Sequence, residues 1–424
     1  MTAFDRFEQR LPELMDELAS PQLPDYFDNM LTRTARTRQR PAWASLERWL
    51  PMGVIARSSL VPPLPWRSIG ILVILGLLAV AGALIYVSSR QRLPEPFGPA
   101  RNGSILVSTV DGEIVSVDPA TGASSGLVTG PANDIVPALS RDGTKFLFVR
   151  AGSGSADTLY VANVDGSDSR QVAQGSFVRV DVDLSPFDWS PSGDRVAFIS
   201  QVGSARKLTI LALDGSAPRT LDLGLSVSDV SWRPNGQELV FRGVISESSG
   251  TTYGLYTVSS DGSGLRPIVP VTDLEFGWRE PVLSPDGTHV AFARWGSATG
   301  NGLHVVGVES GDDRVVEFDG HLDSDQYNPQ FSPDGTQLVF ARFENGEYQL
   351  SIAPVNGGGQ AIAIGPRHSQ ETADPFLGFS PDGTMVLARY PADGKTWLLG
   401  SKGGDDQQVS WPAGRSYSWQ RLAP

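Results

Sequence analysis

Six times between residues 140 and 383 the chain carries the same four-residue turn: SRDG at Ser140–Gly143, SPSG at Ser190–Gly193, RPNG at Arg233–Gly236, and SPDG at Ser284–Gly287, Ser332–Gly335 and Ser380–Gly383. Successive glycines are 50, 43, 51, 48 and 48 residues apart, the period of β-propeller blades. Four residues before each glycine stands a large apolar residue: Leu139, Trp189, Trp232, Leu283, Phe331 and Phe379. Three residues after it come Phe146, Val196, Leu239, Val290, Leu338 and Val386. Five after it come Phe148, Phe198, Phe241, Phe292 and Phe340, with Ala388 the one departure. The position between is apolar too, so this strand is expected to be buried on both faces, as between packed sheets.

The turn chemistry explains the repeat. Pro presets φ, Asp or Asn bonds the neighbouring backbone, and Gly accepts positive φ, so the chain reverses from one strand to the next. Asp165-Gly166, Asp214-Gly215, Asp261-Gly262 and Asn356-Gly357 add a second set of turns, read as two-residue hairpins. Each repeat thus predicts four short antiparallel strands, one blade. Residues 104–129 hold only three such strands, while Tyr417-Ser418-Trp419 resembles the strand before an SPDG turn. The C-terminal strand is therefore expected to complete the first blade. That gives an all-β, seven-bladed propeller, with six blades as the runner-up should the ring not close this way.

Leu283-Ser-Pro-Asp-Gly-Thr-His-Val-Ala-Phe and Phe331-Ser-Pro-Asp-Gly-Thr-Gln-Leu-Val-Phe, with Trp189-Ser-Pro-Ser-Gly, resemble the TolB-like and WD-like propeller repeats of bacterial exported proteins. The resemblance covers residues 104–424; it implies a fold and is nearly silent about ligand.

Ile69 to Val87 runs for nineteen residues without a charge. As a helix it would span about 28 Å, close to the hydrocarbon thickness of a bilayer. Trp66 and Arg67 at one end, and Tyr86 and Arg90 at the other, match interfacial anchors. Residues 1–68 carry nine Arg against eight acids, whereas the chain beyond the segment carries a net charge of −14. A short basic tail is expected to stay cytoplasmic while a long domain translocates, so the N-terminus is placed inside and the propeller outside. The expected organisation is a cytosolic helical tail at 1–66, a single transmembrane helix at 67–88, a linker at 89–103 and the propeller at 104–424. In the tail, Phe4, Phe7, Leu11, Leu14 and Leu18 form an apolar stripe that calls for a docking partner. Tail, span and exported propeller together resemble the layout of anti-sigma-factor-like membrane proteins. The His and Cys of the zinc signature common among them are missing from this tail.

The overall charge of −13 argues against a nucleic-acid binder. The absence of cysteine removes disulfides, thiolate zinc sites, iron–sulfur clusters and Cys nucleophiles. Gly122-Ala-Ser124-Ser-Gly126 matches the nucleophile-elbow spacing but falls in a hairpin of the first blade, with no helix behind it. The four histidines, His289, His304, His321 and His368, are scattered over the blades. His321 stands among Asp319, Asp323 and Asp325 without the downstream Glu of a calcium loop.

Loops leading into the innermost strands contain Asp134, Asp181, Asp183, Asp273, Glu275, Glu280, Asp319, Asp323, Asp325, Glu371 and Asp374. Only Arg179, Arg279, Arg367 and Arg415 oppose them there. This pattern predicts a negative channel mouth that attracts cations, basic peptides or a basic protein, with Asp181, Asp183, Asp273, Glu275, Asp323, Asp325, Glu371 and Asp374 as the binding residues. The resulting expectation is a membrane-anchored extracytoplasmic propeller acting as a protein- or peptide-binding scaffold or sensor, with no catalysis, cofactor or metal. Two other classes stay open: a signalling regulator whose residues 1–66 bind a sigma factor, and a propeller lyase or hydrolase with a channel site.

Overall fold

The computed structural model describes residues 74–77 and 95–423, apart from 153–155, 178–186, 248–249, 270–274, 277–280, 296–301, 319–324, 345, 370–375, 391–393 and 413. It divides into two compact units, Met1–Arg90 and Gln91–Pro424. Of the apolar segment at 69–87 only residues 74–77 are described; they are helical and expose Ile74, Leu75 and Leu77. No helix among the described residues is long and apolar enough to cross a membrane. Trp66, Arg67, Tyr86 and Arg90 lie outside the described residues.

The second unit contains seven antiparallel sheets. Blade I is composite: the C-terminal strand Gly414–Leu422 pairs with Arg101–Thr109, which continues to Ile114–Val117 and Ser124–Val128. Blades II (Asp134–Gly175), III (Phe187–Thr220) and IV (Ser226–Val269) each run from the channel outward as four consecutive strands, as do VI (Asp325–Ser369) and VII (Phe376–Val409). In blade V the innermost strand is in two pieces, Glu275–Phe276 and Val282–Leu283, both paired with His289–Trp295. Seven apolar clusters hold the ring, each joining two neighbouring blades and together covering all seven interfaces. The second strand of each repeat supplies them from both faces: Phe146, Leu147 and Phe148, like Leu338, Val339 and Phe340, are fully buried. Ala388, the one small residue in its column, is fully buried too.

The closing strand is stitched on both sides. Ser418 Oγ accepts the Leu139 N–H at 3.0 Å and Gln420 Nε2 donates to the Gly143 carbonyl at 2.8 Å, tying blade I to blade II. The Tyr417 and Thr396 hydroxyls, 2.9 Å apart, tie it to blade VII.

In the SPDG turns the serine and threonine side chains bond as fully as the aspartate. Asp334 Oδ1 accepts from Ser332 Oγ at 2.6 Å, Thr336 N at 3.0 Å and Thr336 Oγ1 at 2.8 Å, while Ser332 Oγ accepts the Gln337 N–H at 3.0 Å. The turns at 140–145 and 380–385 repeat this set. Burial works against the charged form of Asp286, Asp334 and Asp382. Their Ser and Thr donors outweigh it and hold the carboxyls below the usual range. The Asp-Gly turns join third to fourth strands and are wider than the two-residue hairpins expected: one strand ends at Asn163 and the next begins at Arg170. Gly166, with φ 84°, closes a turn on the Asn163 carbonyl, and the register of the two strands shifts between Leu159 and Tyr160, where Val172 is left unpaired.

Candidate functional site: the central channel

The innermost strands surround a cavity of about 540 Å³. All six apolar residues that precede the turn glycines line it, and Trp419 of the closing strand is the seventh. Trp189, Trp232 and Phe331 are buried, while Leu139, Leu283, Phe379 and Trp419 are half-buried. This wall follows from the repeat, because one register position in every blade points the same way.

Among the described residues, three innermost strands carry a bulge at the same place, seven residues before the turn glycine. Val136, Asp229 and Asn328 have φ of 55°, 56° and 51°, each at a break in register. A β-branched residue such as Val136 rarely takes that conformation, so the bulge is held by its surroundings. Val136 and Asn328 line the cavity. Nothing in the residue pattern marks this kink, which only pairing on both sides reveals.

The charged lining residues lie toward the SPDG end. Arg141 Nη2 bonds Asp188 Oδ1 at 2.7 Å, and the Trp232 N–H donates to Asp188 Oδ2 at 2.7 Å. Burial raises the Asp188 carboxyl above its ordinary range despite these partners. Arg421 Nη2 donates to the carbonyls of Glu95 and Gly98 at 2.9 and 2.6 Å. Burial, helped by nearby Arg141, pulls the Arg421 guanidinium down to about 10. The segment Pro96-Phe97-Gly98 lines this end, with the Phe97 ring 4.4 Å from the Arg141 guanidinium, and the Ala100 N–H anchors to the Pro381 carbonyl at 2.8 Å.

None of these charged residues stands out in the sequence as a binding residue, yet a signal exists. Arg141 occupies the place that Pro191, Pro234, Pro285, Pro333 and Pro381 hold in the other turns. Aligning Trp419 with Trp189 puts Arg421 at the same place in the degenerate seventh turn.

At the opposite end, where loops enter the innermost strands, the expected acidic mouth needs correction at Asp134. It is buried, and both carboxylate oxygens accept from Arg150, at 2.8 and 2.9 Å. That bond is the main reason the Arg150 guanidinium is raised. Counting charges on the loops alone overlooks arginines carried by the strands themselves. Arg242 pairs with Asp229 at 2.9 Å and Arg294 with Asp313 at 3.0 Å. Asp181, Asp183, Asp273, Asp323, Glu371 and Asp374 lie outside the described residues. Glu275 and Asp325 fall within strands whose side chains are not described there.

Ser124 opens the outermost strand of blade I, exposed and with no helix behind it, so the elbow spacing is a hairpin. His304 is buried, stacked on Phe292 with Nδ1 2.9 Å from Asp313. His321 lies outside the described residues. No group of three or more His, Asp or Glu among the described residues is placed to hold a metal.

No protein-family profile matches the chain, and no curated protein matches it. Solved structures do. An oligogalacturonate lyase in complex with manganese matches at TM-score 0.54 and 15% identity, over 74% of this chain and 86% of that one. The β-propeller domain of the trilobed protease from Pyrococcus furiosus matches at 0.51 and 14%, over 74% and 97%. The likeness is one of fold. A periplasmic gluconolactonase from Pseudomonas aeruginosa matches at 0.52 and 19%, over 75% and 99%. TolB proteins are also among the matches; the one from Acinetobacter baumannii has TM-score 0.44 and 14% identity, over 77% and 68%.

Proposed function

We propose that this chain is a single-pass membrane protein whose propeller lies outside the cytoplasm and works by recognition, taking a protein or peptide partner at the ring. The state of the channel carboxylate carries this reading. Among the described lining residues Asp188 is the one carboxylate, and it is held by Arg141 and the Trp232 N–H in a fixed pair, so it is not free to act as an acid or base. The uncharged segment at 69–87 and the basic residues before it support the anchoring.

The absence of cysteine makes topology testable without background labelling. Ser216→Cys, on an exposed blade III turn, should react with a membrane-impermeant maleimide in intact cells, and Ser58→Cys should not. The opposite pattern would refute the placement. In vivo cross-linking through the propeller should then trap an envelope partner. Capture that persists when blades II–VII are deleted would refute recognition by the ring.

A catalytic reading has one point in its favour, that structural matches include a lyase and a gluconolactonase. Turnover of oligogalacturonate or an aldonolactone by the purified chain would establish it. The tail reading, a sigma factor held by residues 1–66, is tested separately by pull-down with the full chain and with a variant lacking the tail.

A further inference from the structure

Among the described residues, the charges at the SPDG end of the channel do not balance. Arg421, Arg141 and Asp188 come from blades I, II and III in succession, two guanidiniums against one carboxylate. Asp188 is already spent on Arg141. Arg421 has only the neutral carbonyls of Glu95 and Gly98 as acceptors, and its Nε is buried without a hydrogen-bond partner. Among the described residues no carboxylate pairs with it. Two other lining residues also bury an unpartnered polar atom, Trp232 Nε1 and Ser416 Oγ. Such a surplus of cation and donor in a confined space is costly unless an acceptor fills it. It is also out of character for a chain of net charge −13. The sequence builds it specifically, because arginine replaces the turn proline in two adjacent blades and in no other.

We propose that the SPDG end of the channel, between Arg421 and Arg141, is a binding site for an oxyanion group, the carboxylate or phosphate of a small ligand or of a partner's side chain. Arg421 supplies the uncompensated charge, Arg141 adds a second positive field, and the half-buried rings of Phe379 and Trp419 receive the rest of the ligand. Phe97 and Gly98 form the floor. The site rests on the recognition reading and names what the ring selects.

The full chain in nanodiscs at fixed ionic strength is titrated with sodium acetate and, separately, with sodium phosphate, read by calorimetry and by tryptophan fluorescence. Saturable binding of either anion is expected; acetate alone assigns a carboxylate ligand and phosphate alone a phosphate ligand. Arg421→Gln and Arg141→Gln each cancel the surplus charge and should weaken binding about tenfold or more. Asp188→Asn adds to the surplus and should tighten binding, a change that a purely structural role for these residues would not produce. Should Arg421→Gln fail to fold, Arg141→Gln and Asp188→Asn carry the test. No saturable binding, or affinities that do not move in these opposite directions, overturns the proposal. Partner cross-linking that survives such a result leaves the recognition reading standing. Anion binding without any partner at the ring has the converse meaning.

Discussion

Each SPDG glycine sits against the turn of the preceding blade, and two of them separate backbone strain from blade-to-blade contact. Gly287 and Gly335 share a φ of 71°. Left-handed backbone costs an L-residue roughly 1–2 kcal/mol. Replacing glycine recovers about 0.4–1 kcal/mol from the unfolded chain, so the backbone effect of Gly→Ala is a loss near 1 kcal/mol at either site. The surroundings differ. A Cβ at Gly335 would lie 3.6 Å from Pro285 Cδ, an ordinary contact, whereas at Gly287 it would clash with Pro234 Cδ. A proline ring cannot swing aside, so blades IV and V must separate, at an overpacking cost of about 1–3 kcal/mol. Gly335→Ala should therefore lower the melting temperature by about 2 °C and Gly287→Ala by roughly 4–8 °C, taking about 2 °C per kcal/mol for a body of this size. Far-UV circular dichroism of the full chain during heating, backed by urea titration, measures both. Equal losses would refute a rigid contact at Pro234, and a stabilised Gly335→Ala would refute the backbone argument.

Acid should unpick the same turns. Asp286, Asp334 and Asp382 have folded-state values below the ordinary aspartate value of 3.8, so their contribution is complete above it and fades as pH falls toward the depressed values. The triple Asp→Asn variant should be less stable at neutral pH and lose less below about pH 4 than the parent; parallel acid limbs in urea titrations would contradict this. Removing Gly414–Leu422 leaves strand Arg101–Thr109 with an open edge, so the truncated chain should self-associate in light scattering. A monomer with unchanged melting would count against closure by this strand. Asp134→Ala deletes both bonds to Arg150 and should cost about 1–3 kcal/mol in urea unfolding; a loss within about 0.5 kcal/mol would place the pair among weak surface contacts.

The repeat was legible because a blade is a local object. Its turn, its doubly buried strand and its spacing all lie within about fifty residues of chain, and Trp419 could be matched to Trp189 by the pattern around it. Even so, the pattern understated the turn, since Ser332 and Thr336 bond Asp334 as firmly as the backbone does. The channel site was far less readable. Arg141 looked like one tolerated departure from proline, and Arg421 like a residue near the end of the chain. Asp134 looked like a free acid because its partner, Arg150, stands sixteen residues away on another strand.

What the amino-acid sequence determined by itself is the set of units: turns that force reversals, strands apolar on both faces, and a last strand able to finish the first blade. These are properties of short segments, set by φ preferences and by the need to bury alternating side chains. The choice of seven blades over six came from the pairing of that last strand. Tertiary structure decided where charge meets charge. Closing the ring brings residues 141, 188 and 421 to one end of one channel. Strand pairing within single blades bends inner strands at Val136, Asp229 and Asn328 and sets Asp134 opposite Arg150. Electrostatics acts through space, and only strand pairing and ring closure set those distances.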